Sequence, residues 1–170
     1  ISQALARRNP YKASMKGSIP VNVLTRVSSA NAAPLDLDIN LDHADMNALA
    51  LFFNPVTSAE GPIKGYVKVS GAWDDPELRG DVSVKNGRME LLTLHDPIFP
   101  LNMDVKFDGK SATVEGNAVF GTGKSSVKGG LEWDRGAIIA YNGEAHLHAP
   151  DIHSDYYKGS LDADFGLGEV

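Results

Sequence analysis

Four stretches of this sequence hold residue types that could do chemistry. In "HLHAPDIHSD" the chain gathers His146, His148, Asp151, His153 and Asp155. On an extended strand His146 and His148 share one face, which is a ligand geometry for a metal such as zinc. Pro150 is expected to bend the chain beyond them, so nothing fixes where His153 returns. No glutamate base stands at a zincin-like spacing. The group reads as solvent-facing polar residues on an exposed strand, and no metal site is assigned.

The second stretch, "AVFGTGKS", Ala118 to Ser125, fits a relaxed phosphate-loop pattern through Gly123, Lys124 and Ser125. That chemistry needs a helix to begin there, with its first amides turned toward phosphate. The chain instead continues as "SVKGGLEWD", whose alternation is strand-like and whose paired glycines would each cost a helix about 1 kcal/mol. The strict motif also requires glycine where Ala118 stands, so a hairpin loop is expected. The third, "DLDINLD", resembles the start of a calcium loop. Leu41 occupies the position that needs glycine for the sharp turn, and Asn47 falls where a bidentate glutamate belongs. The fourth, "WDDPELRGD", brings Asp74, Asp75, Glu77 and Asp81 together as paired carboxylates of the kind glycosidases use. Two of them sit where a turn favours Asp for local hydrogen bonding. No catalytic residue is assigned, and the chain is expected not to be an enzyme or to need a cofactor.

The elements that must position these residues are strands. The 170 residues are 42% apolar and 22% charged, enough for one domain with a real core. The net charge of -6 leaves no basic stripe for a nucleic-acid backbone. Without cysteine there are no disulfides and no thiolate metal ligands. No apolar run reaches the roughly 18 residues of a spanning helix. The opening "ISQALARRNPYK" reads as the interior of a longer protein.

Alternation with period two dominates. Leu35, Leu37, Ile39 and Leu41 oppose Asp36, Asp38, Asn40 and Asp42; Leu101, Met103, Val105 and Phe107 oppose Asn102, Asp104 and Lys106; Val82 and Val84 oppose Asp81, Ser83 and Lys85. Leu161, Ala163, Phe165 and Leu167 continue the pattern, and segments near 21–27, 65–73, 89–94, 112–120, 124–133 and 137–149 fit it less well. This predicts roughly ten strands. Two stretches break the period. "SQALARR" is a short helical candidate. "DHADMNALALFFN" is a stronger one, capped by Asp42 or Asp45, with Met46, Leu49, Ala50 and Phe53 at helical spacing and Asn54-Pro55 ending it.

Glycines punctuate the strands. Restarts at Gly65, Gly80, Gly116, Gly130, Gly143 and Gly159 lie mostly 13 to 16 residues apart. Turn chemistry stands at Asp75-Pro76, Asn86-Gly87, Asp108-Gly109, Asp134-Arg135-Gly136 and Asn142-Gly143. The rhythm is that of degenerate strand-turn-strand repeats.

The run "EGPIKGYVKVSGAWDDPELRGDVSVKNGRMELL" resembles the repeat of TamB-like proteins, the large periplasmic subunit of the translocation and assembly module, within the wider AsmA-like group. The matching positions are Gly65, Val67, Val69, Gly71, Trp73, Pro76, Leu78, Gly80, Val82, Val84 and Gly87, after the greasy helix Met46 to Phe53. "NPYKASMKGSIPVNV" is similar to the tail of an earlier repeat. The close likeness covers residues 40–90, and the remainder agrees in rhythm only.

That resemblance implies an all-β fold: an elongated antiparallel sheet curled into a U-shaped trough, or β-taco, with an apolar interior and one or two short helices. It divides the single segment 1–170 into the end of a preceding unit (1–34), a strand with the apolar helix (35–55), and glycine-punctuated repeats (56–170). It implies a periplasmic segment of an inner-membrane-anchored protein in a diderm bacterium, working with an Omp85-type outer-membrane barrel. Its ligands would be phospholipid acyl chains or nascent outer-membrane protein strands, and its role phospholipid transport or outer-membrane protein assembly.

If each strand turns its apolar face inward, the lining is Leu35, Leu37, Ile39, Leu41, Val67, Val69, Val82, Val84, Leu101, Met103, Val105 and Phe107. Met46, Leu49 and Phe53 would cover the groove or its edge. Alternation alone also permits a structural or adhesion β-repeat scaffold with a filled core and no ligand.

Overall fold

The computed structural model describes residues 12–19, 34–47, 55–153 and 158–167. They form ten strands: β1 Lys12–Ser18, β2 Leu35–Asp45, β3 Val56–Glu60, β4 Pro62–Ala72, β5 Asp75–Leu91, β6 Ile98–Gly109, β7 Ser111–Phe120, β8 Gly123–Asp134, β9 Ala137–His153 and β10 Lys158–Leu167. All pair antiparallel in one sheet ordered β1-β2-β4-β5-β6-β7-β8-β9-β10, and β3 extends the β4 side by pairing with the far half of β5. The ends of this order do not meet, so the sheet is open. The all-β antiparallel class expected from alternation is the one the chain adopts.

The hairpins follow their turn residues. β8 and β9 join through Arg135-Gly136, both at positive φ (49° and 72°), the backbone that matches the twist of antiparallel strands. At the other end Phe120 pairs with Gly123 across a two-residue loop, Gly121-Thr122. "AVFGTGKS" is therefore a hairpin with no helix behind it.

Two expected breaks do not end a strand. Asn86-Gly87 lies inside β5, where Asn86 takes φ 54° and the pairing with β6 shifts register, a bulge in place of a turn. The Asn86 amide donates to Asn102 Oδ1 at 2.9 Å, which gives the bulged backbone a partner. Asn142-Gly143 pairs normally within β9, and β9 continues to His153, with its pairing to β10 slipping register around Pro150 between Ala149 and Ile152. The expected turn at Asp75-Pro76 falls two residues early, at Trp73-Asp74, and Asp75 already pairs with Ala72.

Of the helix expected at Met46 to Phe53, only Met46 and Asn47 are described, and they form a 3-10 turn. β2 runs to Asp45, directly before this turn. Asp45 does cap it: its Oδ1 accepts the Asn47 amide at 2.9 Å. Leu49 and Phe53, "SQALARR", and the 21–27 segment lie outside the described residues.

Met46 is fully buried. Its amide donates to the Gly61 carbonyl at 3.1 Å, which folds its side chain onto Val84 and Gly87. Met46, Ala59 and Val84 form a buried cluster, joined by Val56, Ile63, Met89, Leu101 and Met103. Gly87 is required there: a Cβ would sit 2.7 Å from the Met46 sulfur and 2.8 Å from Val84.

Candidate functional site

Because partners in an antiparallel ladder share a face, the register sorts every side chain to one side of the sheet. One face is apolar. A row across it runs Ile63, Val84, Met103, Gly116, Val127, Ala145 and Phe165 from β4 to β10. Neighbouring rows carry Ile39, Val67, Gly80, Phe107, Ala112, Leu131 and Tyr141, and Leu41, Gly65, Val82, Val105, Val114 and Gly129.

The twelve lining residues inferred from alternation all fall on this face. Leu35, Val67 and Val84 are buried, and the other nine (Leu37, Ile39, Leu41, Val69, Val82, Leu101, Met103, Val105 and Phe107) are half-buried.

The bare part of the face lies at its flanks, on residues outside that set of twelve. Val127, Tyr141, Leu161 and Phe165 on β8 to β10 are exposed, as is Met15 on β1. Along the single row just named, exposure climbs from 2% at Val84 to 39% at Val127 and 56% at Phe165. In β8 and β9 the alternation is interrupted by Gly129, Gly130 and Gly143, which weakens the period that would have marked Val127 and Tyr141. Leu161 and Phe165 do alternate cleanly.

The opposite face is a lattice of charge. Lys68 donates to Asp36 at 2.6 Å, Lys85 to Asp104 at 2.6 Å, and Lys128 lies 2.7 Å from Glu115. The Tyr66 hydroxyl donates to Asp38, which raises the phenol pKa and lowers that of the carboxyl. Lys68 and Lys128 are raised by their hydrogen bonds to Asp36 and Glu115. Such exposed pairs are individually weak, but opposite charges at neighbouring positions favour this register over its slips.

At the hairpin end, Lys110 ties three turns together. Its Nζ donates to Asp75 at 2.6 Å and Asp134 at 2.8 Å, and the other Asp75 oxygen accepts the Arg135 amide at 3.0 Å. Trp133 adds an indole N–H to the Pro76 carbonyl at 3.0 Å. Lys110 is raised, first by Asp134 and then by Asp75, while Asp75 is lowered chiefly by Lys110.

The sequence motifs for chemistry are dispersed by this geometry. Asp75 serves the turn clip and Glu77 faces Arg79 at 3.9 Å, so the carboxylates of "WDDPELRGD" do not form a facing pair. Asp36 and Asp38 of "DLDINLD" engage Lys68 and Tyr66 along a straight strand. His146 and His148 do share the polar face, but each meets an aspartate on β10: Asp164 at 2.6 Å and Asp162 at 3.2 Å. Opposite a carboxylate each Nδ1 carries the hydrogen and donates it. The hydrogen bond to Asp164 raises the His146 pKa. No group of three metal-binding side chains converges among the described residues.

No family model, no curated protein and no solved structure matches this chain. No helix among the described residues is long and apolar enough to cross a membrane.

Proposed function

We propose that this chain supplies one stretch of a hydrophobic groove that holds acyl chains, as a segment of a periplasmic TamB-like or other AsmA-like protein. In this reading the open sheet curls lengthwise into the U-shaped trough, and the apolar face becomes its interior. The observation that carries the proposal is the apolar face, broken by glycines and Ser125, whose β8 to β10 flank stands bare in Val127, Tyr141, Leu161 and Phe165. Contiguous exposed apolar surface marks a place where something apolar binds. Each methylene buried there is worth about 0.8 kcal/mol, so a lipid tail gains several kcal/mol without any specific contact.

The cargo would be phospholipid passing between inner and outer membranes, with nascent outer-membrane strands as a second cargo and an Omp85-type barrel as the receiving partner. The TamB-like pattern around Gly65 to Gly87 supports that setting. A filled scaffold is the competing reading, and the Met46–Ala59–Val84 cluster favours it locally, since there the face is already covered.

The test is lipid extraction and mass spectrometry of the purified chain beside Val127→Asp and Phe165→Asp variants. Phospholipid bound to the wild type and lost from folded variants supports the groove. A folded wild type that carries no lipid, or variants that carry as much, overturns it.

A further inference from the structure

The polar side of β9 and β10 differs from the rest of the lattice in one respect: its cations are imidazoles. Elsewhere among the described residues the cross-strand pairs use Lys or Arg, which stay charged throughout the physiological range. Here His146 opposes Asp164 and His148 opposes Asp162 in direct register, two consecutive positions of the same ladder face. We propose that the His146–Asp164 contact, with His148–Asp162 beside it, is a proton-operated clasp, which holds β10 to the sheet more firmly when the His146 imidazole is charged.

The surroundings fix the sign. On the β8 side His148 is opposed by Lys124 and His146 by Ser126, while Glu144 precedes them on β9. Around the shallow polar hollow that His146 borders stand Lys85, Asp104, Glu115, Lys128 and Glu144. Lys85 is tied to Asp104 and Lys128 to Glu115, so two of those acidic groups are already compensated by lysine. The carboxylate nearest His146 is Asp164, at 2.6 Å, and the hydrogen bond between them makes the imidazole easier to protonate. A histidine raised on folding gives its full contribution below the ordinary value of 6.5, and that contribution fades as pH rises through the elevated one. His146 is therefore the half that responds to protons, while His148 meets Asp162 at 3.2 Å with Lys124 opposite it on β8.

The consequence reaches the other face. β10 has no described neighbour on its outer side, and Leu161 and Phe165 remain 42% and 56% exposed, so apolar packing holds it little. Its two histidine pairs are then a large share of what fixes its side chains. Loosening the clasp at higher pH frees the strand that bears the bare apolar flank. The clasp does not depend on what that flank binds.

The experiment is amide hydrogen exchange of the full chain at about pH 5.5 and about pH 8.5, on either side of the ordinary histidine range. Rates are corrected for intrinsic exchange, and Leu161–Gly166 is referenced to the β7 and β8 amides. Exposed pairs are individually weak. Relative protection of β10 should therefore be roughly two- to tenfold greater at the lower pH. His146→Gln with His148→Gln should abolish the difference. His146→Arg with His148→Arg should also abolish it, by holding protection high at both values. Single His146→Gln should remove most of the difference if the double variant does not fold. An equal pH difference in the glutamine variants, or none in the wild type, overturns the clasp.

Discussion

Val84 and Phe165 stand in the same row of the same face, on β5 and β10, yet one is 2% exposed and the other 56%. Both sequences alternate and both side chains are apolar, so composition does not separate them. What differs is a cover. At the β4–β5 end, β2 finishes in a capped turn that drops Met46 onto Val84, and β3 adds Ala59 beside it. At the β9–β10 end the row through Ala145 and Phe165 has no such cover, although Phe120 and Ala149 close over Gly123 nearby, and small residues such as Gly116 and Ala145 separate the larger ones. One end is therefore a core and the other a surface. The same strand pattern produces either, according to whether a residue outside the strand folds back.

This contrast is broken most severely by placing a charge at each end. Val84→Asp puts an unpaired carboxylate among Met46, Ala59 and Met103, and should destabilise the chain by at least about 3 kcal/mol or prevent folding. Val127→Asp, on the exposed half of the same row, should cost about 1 kcal/mol or less. Urea denaturation of both compares them directly. Equal losses would mean that the flank is as covered as the core.

Next in size, Met46→Ala removes the cover while leaving every strand intact. Losing a fully buried methionine should cost about 2–5 kcal/mol, again by denaturant titration, and should make Val84 newly accessible.

A third pair of changes tests where the sheet is tightly coiled. Gly80 has φ 131°, and a Cβ there would lie 1.9 Å from the Tyr66 carbonyl oxygen, so Gly80→Ala should cost roughly 1–3 kcal/mol. Gly166, on β10, has nothing within 4 Å, and Gly166→Ala should change stability by less than about 1 kcal/mol in either direction.

The smallest effect belongs to the turn clip. Lys110→Met should lower the melting temperature modestly near neutral pH. Asp75 is held below the usual carboxylate value, so its contribution is present above 3.8 and is lost as pH falls through its lowered value. The wild type and the variant should therefore melt together in strong acid, which thermal scans across that range would record.

Much of this was legible in the sequence, for a simple reason. A period of two assigns a face without any knowledge of pairing, so Leu35 to Leu41, Val82 and Val84, and Leu101 to Phe107 could be grouped before their register was known. Turn residues were ambiguous because one chemistry serves two purposes. Asn tolerates positive φ, and Asn86 uses that tolerance to bulge a long strand, whereas Arg135-Gly136 close a hairpin. Pro150 does not end β9 because it falls where the β9–β10 register slips, between Ala149 and Ile152, so no ladder hydrogen bond is needed from it. Burial was the illegible part. Alternation says which side a residue faces but not what covers that side, so nothing marked Val84 as core and Phe165 as surface. The clasp was half visible: the His146–His148 spacing stood out, but its aspartate partners come from "SLDADFGLG", 14 to 18 residues away, and only the register joins them.

The most direct test is photocrosslinking at three positions of one neighbourhood: Val127 on the bare half of the apolar row, Val84 on its covered half, and Lys128 on the charged face. With the protein folded in bacterial cells and the adducts read by mass spectrometry, phospholipid should attach at Val127 and not at Val84 or Lys128. Equal lipid at all three, or none at Val127, would contradict the account.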